Sequence, residues 1–198
     1  MSDWIYPVTL RGRRVTLEPL QPEHCEGLQA AAGDGELWRL WYTSVPTPEN
    51  MAASIEEALE EQAQGVSLPF AVRDNASGKL LGSTRYLHVE ASHRRLEIGA
   101  TWYARSAQRT GINTECKLLL LTHAFEELKA IAVEFRTHWH NRASRAAIAR
   151  LGARQDGVLR HHYKMADGSF RDTVVFSIVE PEWLAVRRNL QFMLETHE

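Results

Sequence analysis

Apolar positions along this chain recur at two periods, and each change of period marks an element. Residues 8–20 read as a strand broken by Gly12, with Val15 and Leu17 on one face. From 22 to 64 the texture is helical, except over 43–48, where Pro46 and Pro48 stop a continuous helix. Met51, Ile55 and Leu59 recur every fourth residue as one helix face. Glu56, Glu57, Glu60 and Glu61 fill the other face, which reads as a solvated surface. From Leu68 the period becomes two. Residues 70–73 and 79–89 read as strands joined by a hairpin loop at 74–78, and a third strand covers 94–103.

A polar loop at 108–114 then leads into a helix whose expected core face is Leu118, Leu121, Phe125 and Leu128. Ile131, Val133, Phe135 and Thr137 alternate with Ala132, Glu134 and Arg136, the pattern of a strand. Asn141 is placed to cap the next helix and Gly152 to end it. Asp167 and Gly168 form a hairpin signal between strands expected over 159–165 and 171–179, and a last helix starts near Pro181. This order predicts an α/β fold of the α+β kind, a mixed sheet with helices packed on it. With no internal repeat or low-complexity linker, 1–198 reads as a single domain, its core about 10–183 and its C-terminal helix over 181–196.

Composition narrows this only by exclusion. Of 198 residues, 44% are hydrophobic and 24% charged, which rules out disorder, collagen-like repeats and a coiled coil. A net charge of −2 argues against a general nucleic-acid binder. Cys25 and Cys116 are far apart and read as free thiols of a reducing compartment. The N-terminal residues lack a secretory pattern, and the apolar run 118–121 is far below the roughly 20 residues that span a bilayer. The expectation is a soluble, cytoplasmic protein without a membrane partner.

The most informative chemistry is the strand, glycine loop and helix over 96–125. A loop carrying Gly111 at a helix N-terminus offers free backbone N–H groups at the positive end of the helix dipole, a phosphate site in principle. Neither the P-loop pattern nor the dinucleotide glycine pattern is present. His138 and His140 share a face at i, i+2, but no acidic or cysteine ligand stands at a zinc spacing, so no metal is expected. Arg142, Arg145, Arg150 and Arg154 cluster along the helix after Asn141, either as a solvated face or as partners for phosphates.

Gln108, Arg109, Thr110, Gly111, Ile112 and Asn113, following the strand Glu97 to Trp102, resemble the acetyl-CoA signature of the GNAT acetyltransferases. Asn141 and Ser144, followed by Leu151, Gly152 and Ala153, look like that superfamily's next segment. The chain is most similar to the ribosomal-protein N-terminal acetyltransferase branch, from about Leu10 to Trp183. The resemblance implies a central, mostly antiparallel, twisted sheet splayed at the cofactor site, with helices on both faces. It implies acetyl-CoA as co-substrate, held by Gln108 and the amides of Arg109, Thr110, Gly111, Ile112, Asn113 and Thr114. The strand backbone at Thr101, Trp102 and Tyr103 would pair with the pantetheine arm, which Asn141 and Ser144 would meet from the opposite wall. Glu97 is expected as the base that takes the amine's proton, directly or through a water, or else as an ion-pair partner of a nearby arginine. Trp38, Trp41, Tyr42, His138 and His140 would border the acceptor groove, although aromatic residues of that region also suit a core.

The implied reaction is transfer of an acetyl group to a primary amine, a protein or peptide N-terminus or a small amine, by direct attack in a ternary complex. A homodimer is suggested by the resemblance alone. One position departs from the pattern: Ile148 stands where many relatives carry a tyrosine that protonates the leaving thiolate. Tyr103, Cys116 and His138 are substitutes for that acid by vicinity only. The competing readings are a non-catalytic module binding an acyl-CoA or a protein on the same fold, and an RNA-associated helper.

Overall fold

A computed structural model describes residues 4–165 and 167–196. The outermost parts of the domain expected over 1–198, residues 1–3 and 197–198, lie outside that range. The interrupted first strand is a hairpin of β1 (Leu10–Arg11) and β2 (Val15–Pro19), antiparallel to each other. β3 (Leu68–Asp74), β4 (Leu80–Glu90) and β5 (Arg95–Tyr103) follow it across the sheet, each antiparallel to its neighbour. β6 (Ala132–His138) lies parallel to β5. β7 (Arg154–Lys164) and β8 (Phe170–Val179) complete a sheet of order β1-β2-β3-β4-β5-β6-β8-β7.

Helices cover both faces, as the resemblance implied. α1 (Cys25–Gly33) and α2 (Met51–Ala63) bury Leu28, Met51, Ile55 and Ala58 against Leu20 and Ala71. α3 (Ile112–Thr122), α4 (Arg142–Arg150) and α5 (Trp183–Glu195) close the larger core around Phe70, Tyr86 and Phe135. The acidic side of α2 is not wholly solvated, because Glu61 reaches Arg85 of β4 at 3.4 Å.

Three expectations need correction. Leu121, Phe125 and Leu128 are buried, but Leu118 is only half-buried, and Lys117 and Leu120 face the core instead. The cause is a π turn over His123–Glu127. Its wider hydrogen-bond spacing rotates everything before it out of the 3.6-residue phase set after it. β7 starts at Arg154, five residues before the expected strand, because it is a sheet edge with polar residues on both sides and carries no alternation to read. Arg154 therefore belongs to a strand rather than to the preceding helix, and it pairs with Glu182 at 2.9 Å.

The site is shaped by where β5 and β6 part. Their parallel ladder holds only Arg95↔Ala132, Leu96↔Val133 and Glu97↔Glu134. Beyond it β5 runs on to Tyr103 and β6 to His138 with no pairing between them. A bulge against β4 drives the divergence, with Gly99 opposite Arg85 and Trp102 opposite Ser83, so one strand holds an extra residue. Ala100 sits in it at φ 45°, a left-handed conformation costing a non-glycine residue about 1–2 kcal/mol.

A buried carboxylate ties the first hairpin to α3. Glu115, in the first turn of α3, accepts the backbone N–H groups of Arg13 at 3.0 Å and of Arg14 and Val15 at 2.8 Å. Hydrogen bonds to a charged group contribute about 1.5–3 kcal/mol each, and an amide side chain turns an N–H toward these donors. Glu115→Gln should therefore lower stability by about 2–3 kcal/mol, a fall in Tm of about 5–10 °C. Thermal melts followed by circular dichroism check this, and an unchanged Tm would mean that the hairpin does not depend on the carboxylate.

Candidate active site

Two structures meet at the C-terminal end of β5. The first is the loop into α3. Gly111 sits at φ 85° immediately before Ile112, a backbone that side-chain-bearing residues rarely adopt. That turn leaves the first N–H groups of α3 without intrahelical acceptors and points them away from the helix. Cations surround it. Arg14 donates to the Thr110 carbonyl at 3.4 Å, Arg150 of α4 reaches Thr114 Oγ1 at 3.1 Å, and Arg109 lines an adjoining cavity of about 480 Å³ with Gln108, Arg105 and residues 35–37, 39 and 40. A larger cavity of about 570 Å³ lies at the other end of β5, among Glu90, Arg94, Arg95 and Ile131, and holds none of the expected site residues.

The second structure is the open edge of β5 past Glu97, which faces α4 across the gap. Asn141 caps α4 as expected, its Oδ1 accepting the Ser144 N–H at 3.0 Å, while its amide Nδ2 keeps its donors. Arg150 at the end of α4 reaches Thr114 in the first turn of α3, so the helix that Asn141 caps lies against the helix that follows the glycine loop.

Glu97 lies on the opposite face of β5 from the buried Leu96 and Ile98, and is itself only 5% exposed. Its Oε2 is 2.8 Å from His88 Nδ1 and 3.4 Å from Arg136 Nε. The hydrogen bond to Glu97 raises the His88 pKa above its ordinary value. Gly99 leaves the carboxylate room: a Cβ there would stand 2.7 Å from Glu97 Oε1 and 2.9 Å from Leu87. Arg136 also pairs with Glu134, which in turn holds Arg95.

The aromatic and histidine residues divide. Trp38 packs into the α1–α2 core. Trp41, 56% exposed, stands with its ring 5.0 Å from His138, 5.6 Å from His140 and 5.6 Å from Tyr42, so four of the five expected acceptor residues form one cluster. Among the described residues, no group of three or more His, Cys, Asp or Glu side chains is arranged to hold a metal.

Of the substitute acids, Tyr103 and Cys116 are buried side by side in the main core. Burial raises the pKa of both, that of Cys116 to about 12, so neither readily gives up a proton near neutrality. Ile148 is buried in the same core. A group the sequence reading passed over is Lys117, 5% exposed in α3. Its Nζ donates to Thr101 Oγ1 at 2.8 Å, and that oxygen is 2.7 Å from Thr84 Oγ1. Burial pulls the Lys117 pKa down to about 8. A lysine three residues ahead of Leu120 and seven ahead of Ala124 shares their helix face, which is the signal that marks it as buried.

A family model described as an acetyltransferase (GNAT) domain matches residues 14–154. The chain belongs to the GNAT acetyltransferase family. A Bacillus subtilis protein named as a ribosomal N-acetyltransferase, YdaF, is 32% identical over 106 residues, 54% of this chain. That match spans 57% of the length of the curated relative. An acetyltransferase structure from T. thermophilus is 34% identical, with a TM-score of 0.83 over 96% of this chain and 99% of that one. The structure of Mycobacterium smegmatis RimJ in complex with CoA-disulfide shares the fold, at 21% identity and a TM-score of 0.80 over 95% of each chain. The YdaF match agrees with the ribosomal-protein branch that the motifs resemble. In this GNAT domain no helix among the described residues is long and apolar enough to cross a membrane.

The low pKa of Lys117 has a consequence for stability. Below pH 8 its charge is buried at a cost, and in the unfolded chain it keeps its proton up to about its ordinary 10.5. The folded state binds fewer protons in the interval, so this cost falls as pH rises from 8 to 10.5. Lys117→Met should raise Tm at pH 7 by several degrees, roughly 3 kcal/mol at most, and the gain over wild type should vanish near pH 10.5. Paired melts at pH 7, 9 and 10.5 test this, and a gain that does not change with pH contradicts it.

Proposed function

We propose that this protein is an acetyl-CoA-dependent N-acetyltransferase of the cytoplasm, acting on the primary amine of a protein or peptide N-terminus or of a small molecule. The carrying observation is the unpaired edge of β5 opening beside a glycine loop and a helix N-terminus ringed by Arg14, Arg109 and Arg150. Helix-end N–H groups and arginines suit a pyrophosphate, and an unpaired strand edge suits the amides of an extended arm.

Acetyl-CoA, when bound, supplies the activated acetyl group as a thioester. The loop over 109–114 would hold its phosphates, and the free edge of β5 would pair with its extended arm. Backbone N–H groups of β5 then stabilise the oxygen as charge develops on it. Glu97 takes the proton from the attacking amine, directly or through a water, and the C–S bond breaks as the amide C–N bond forms. His88 and Arg136 hold the carboxylate in place. A peptide α-amino group, with a pKa of about 7.7–8.0, needs far less help from a base than lysine at about 10.4. A thiol of pKa about 8.5 leaves without a dedicated acid, which accommodates Ile148.

Acetyl-CoA at about 100 times its Kd should stabilise the protein by roughly 2.7 kcal/mol and raise Tm by about 5–10 °C. In Glu97→Gln that shift should persist while kcat falls by about 100-fold or more. Differential scanning fluorimetry and a free-thiol release assay read both. A Tm shift without turnover on any amine would leave the acyl-CoA-binding module, and no shift at all would remove the cofactor site.

A further inference from the structure

On the face of the sheet that carries Glu97, one buried ring N–H has no acceptor and one guanidinium has no carboxylate among the described residues. His138 is only 3% exposed. Its Nδ1 accepts the His140 N–H at 3.0 Å, so Nε2 carries the ring proton, and nothing receives it. Burial, then Arg171 and His140, lower the His138 pKa and keep the ring neutral. Across the β6–β8 ladder His138 pairs with Thr173. Thr173 Oγ1 accepts from Arg171 Nε at 3.0 Å and lies 3.1 Å from His162 Nδ1.

Arg171 is the second group. Its neighbours are matched: Arg136 with Glu97 and Glu134, Arg95 with Glu134, His88 with Glu97, and Arg160 with Asp172. The half-buried Arg171 guanidinium has no carboxylate partner among the described residues and stands 5.7 Å above the Tyr163 ring. Its Nε reaches Thr173, the ladder partner of His138, and two residues before His138 on β6 Arg136 meets Glu97. Trp41 lies against His138 on the same side. A half-desolvated arginine without a carboxylate and a buried N–H without an acceptor are costly until an anion arrives, and a carboxylate matches the guanidinium with two parallel hydrogen bonds.

Resting on the reading of Glu97 as the amine's base, we propose that Arg171 and His138 form an anion subsite that selects acceptors carrying a carboxylate close to their primary amine. In a peptide this is an Asp or Glu within the first few residues. Polyamines and lysine-rich N-termini are rejected by the same guanidinium.

Three probes test this with the full-length protein and its Arg171→Gln variant: the peptides Ala-Glu-Glu-Ala and Ala-Gln-Gln-Ala, both C-terminally amidated, and free glutamate. Wild type should favour the acidic peptide over the glutamine peptide by about tenfold in kcat/KM, and in Arg171→Gln that ratio should fall to near one. Stronger turnover of free glutamate, also lost in the variant, would assign the subsite to an amino-acid acceptor. Equal kcat/KM for the two peptides in wild type, or a preference that survives in Arg171→Gln, overturns the proposal. Binding of the peptides in the presence of CoA, read by tryptophan fluorescence, separates this from the transfer reading. Acidic-peptide affinity about tenfold higher in wild type than in Arg171→Gln supports the subsite even with no acetyl transfer, and equal affinities overturn it whatever the turnover.

Discussion

The geometry of the site depends on a parallel ladder that holds for only three residue pairs. Strands β5 and β6 are joined at Arg95, Leu96 and Glu97, and then separate. Had the ladder continued, the β5 edge would be spent on backbone hydrogen bonds to β6 and no gap would exist. Had it been absent, nothing would place Glu97 beside Arg136. The bulge at Ala100 holds the separation open, at the cost of one left-handed residue. Every residue of the candidate site is placed relative to that fork: the loop at one tip, Asn141 at the other, and Glu97 at the crotch.

Much of this was legible in the amino-acid order. The Asn141 cap and the Gly152 stop follow from local chemistry and the structure has both, while the strand expected over 131–137 runs 132–138, with Ile131 outside it and exposed. The glycine loop stood out because Gly111 precedes a long apolar helix. What could not be read has physical reasons. The hydrophobic phase of α3 is broken by a π turn, which leaves no mark in composition. Strand β7 is an edge with no buried side to alternate against. Arg14 reaches Thr110 from the bend of the first hairpin and His88 reaches Glu97 from β4, and only the sheet order brings them there. Trp38 and Trp41 look alike in sequence, yet one enters a core and the other stays open, a difference decided by how the chain turns at 37–40.

The two faces of the sheet treat charge differently. Toward α3, burial holds the protons of Tyr103 and Cys116 and draws Lys117 toward losing its own, while Glu115 is matched by three backbone N–H groups. Toward the α1–α2 side, Glu97, Glu134, Arg95, Arg136 and His88 pair with one another. β5 separates the two regimes, so the strand that would hold the acyl donor also divides a nearly dry core from an ionic surface. A proton leaving an amine on the ionic side meets Glu97 and His88 there.

The π turn over His123–Glu127 also decides what lies beneath β5. It takes one residue more to go round than an α-helical turn. The same residues wound as an unbroken α-helix, with the end of the helix held fixed, would carry the first half back by about 100°. Leu118 would then lie under Thr101, and Lys117 would take the buried place of Cys116. A single wide turn, more than one turn of helix away, therefore sets an amine rather than a leucine against the strand.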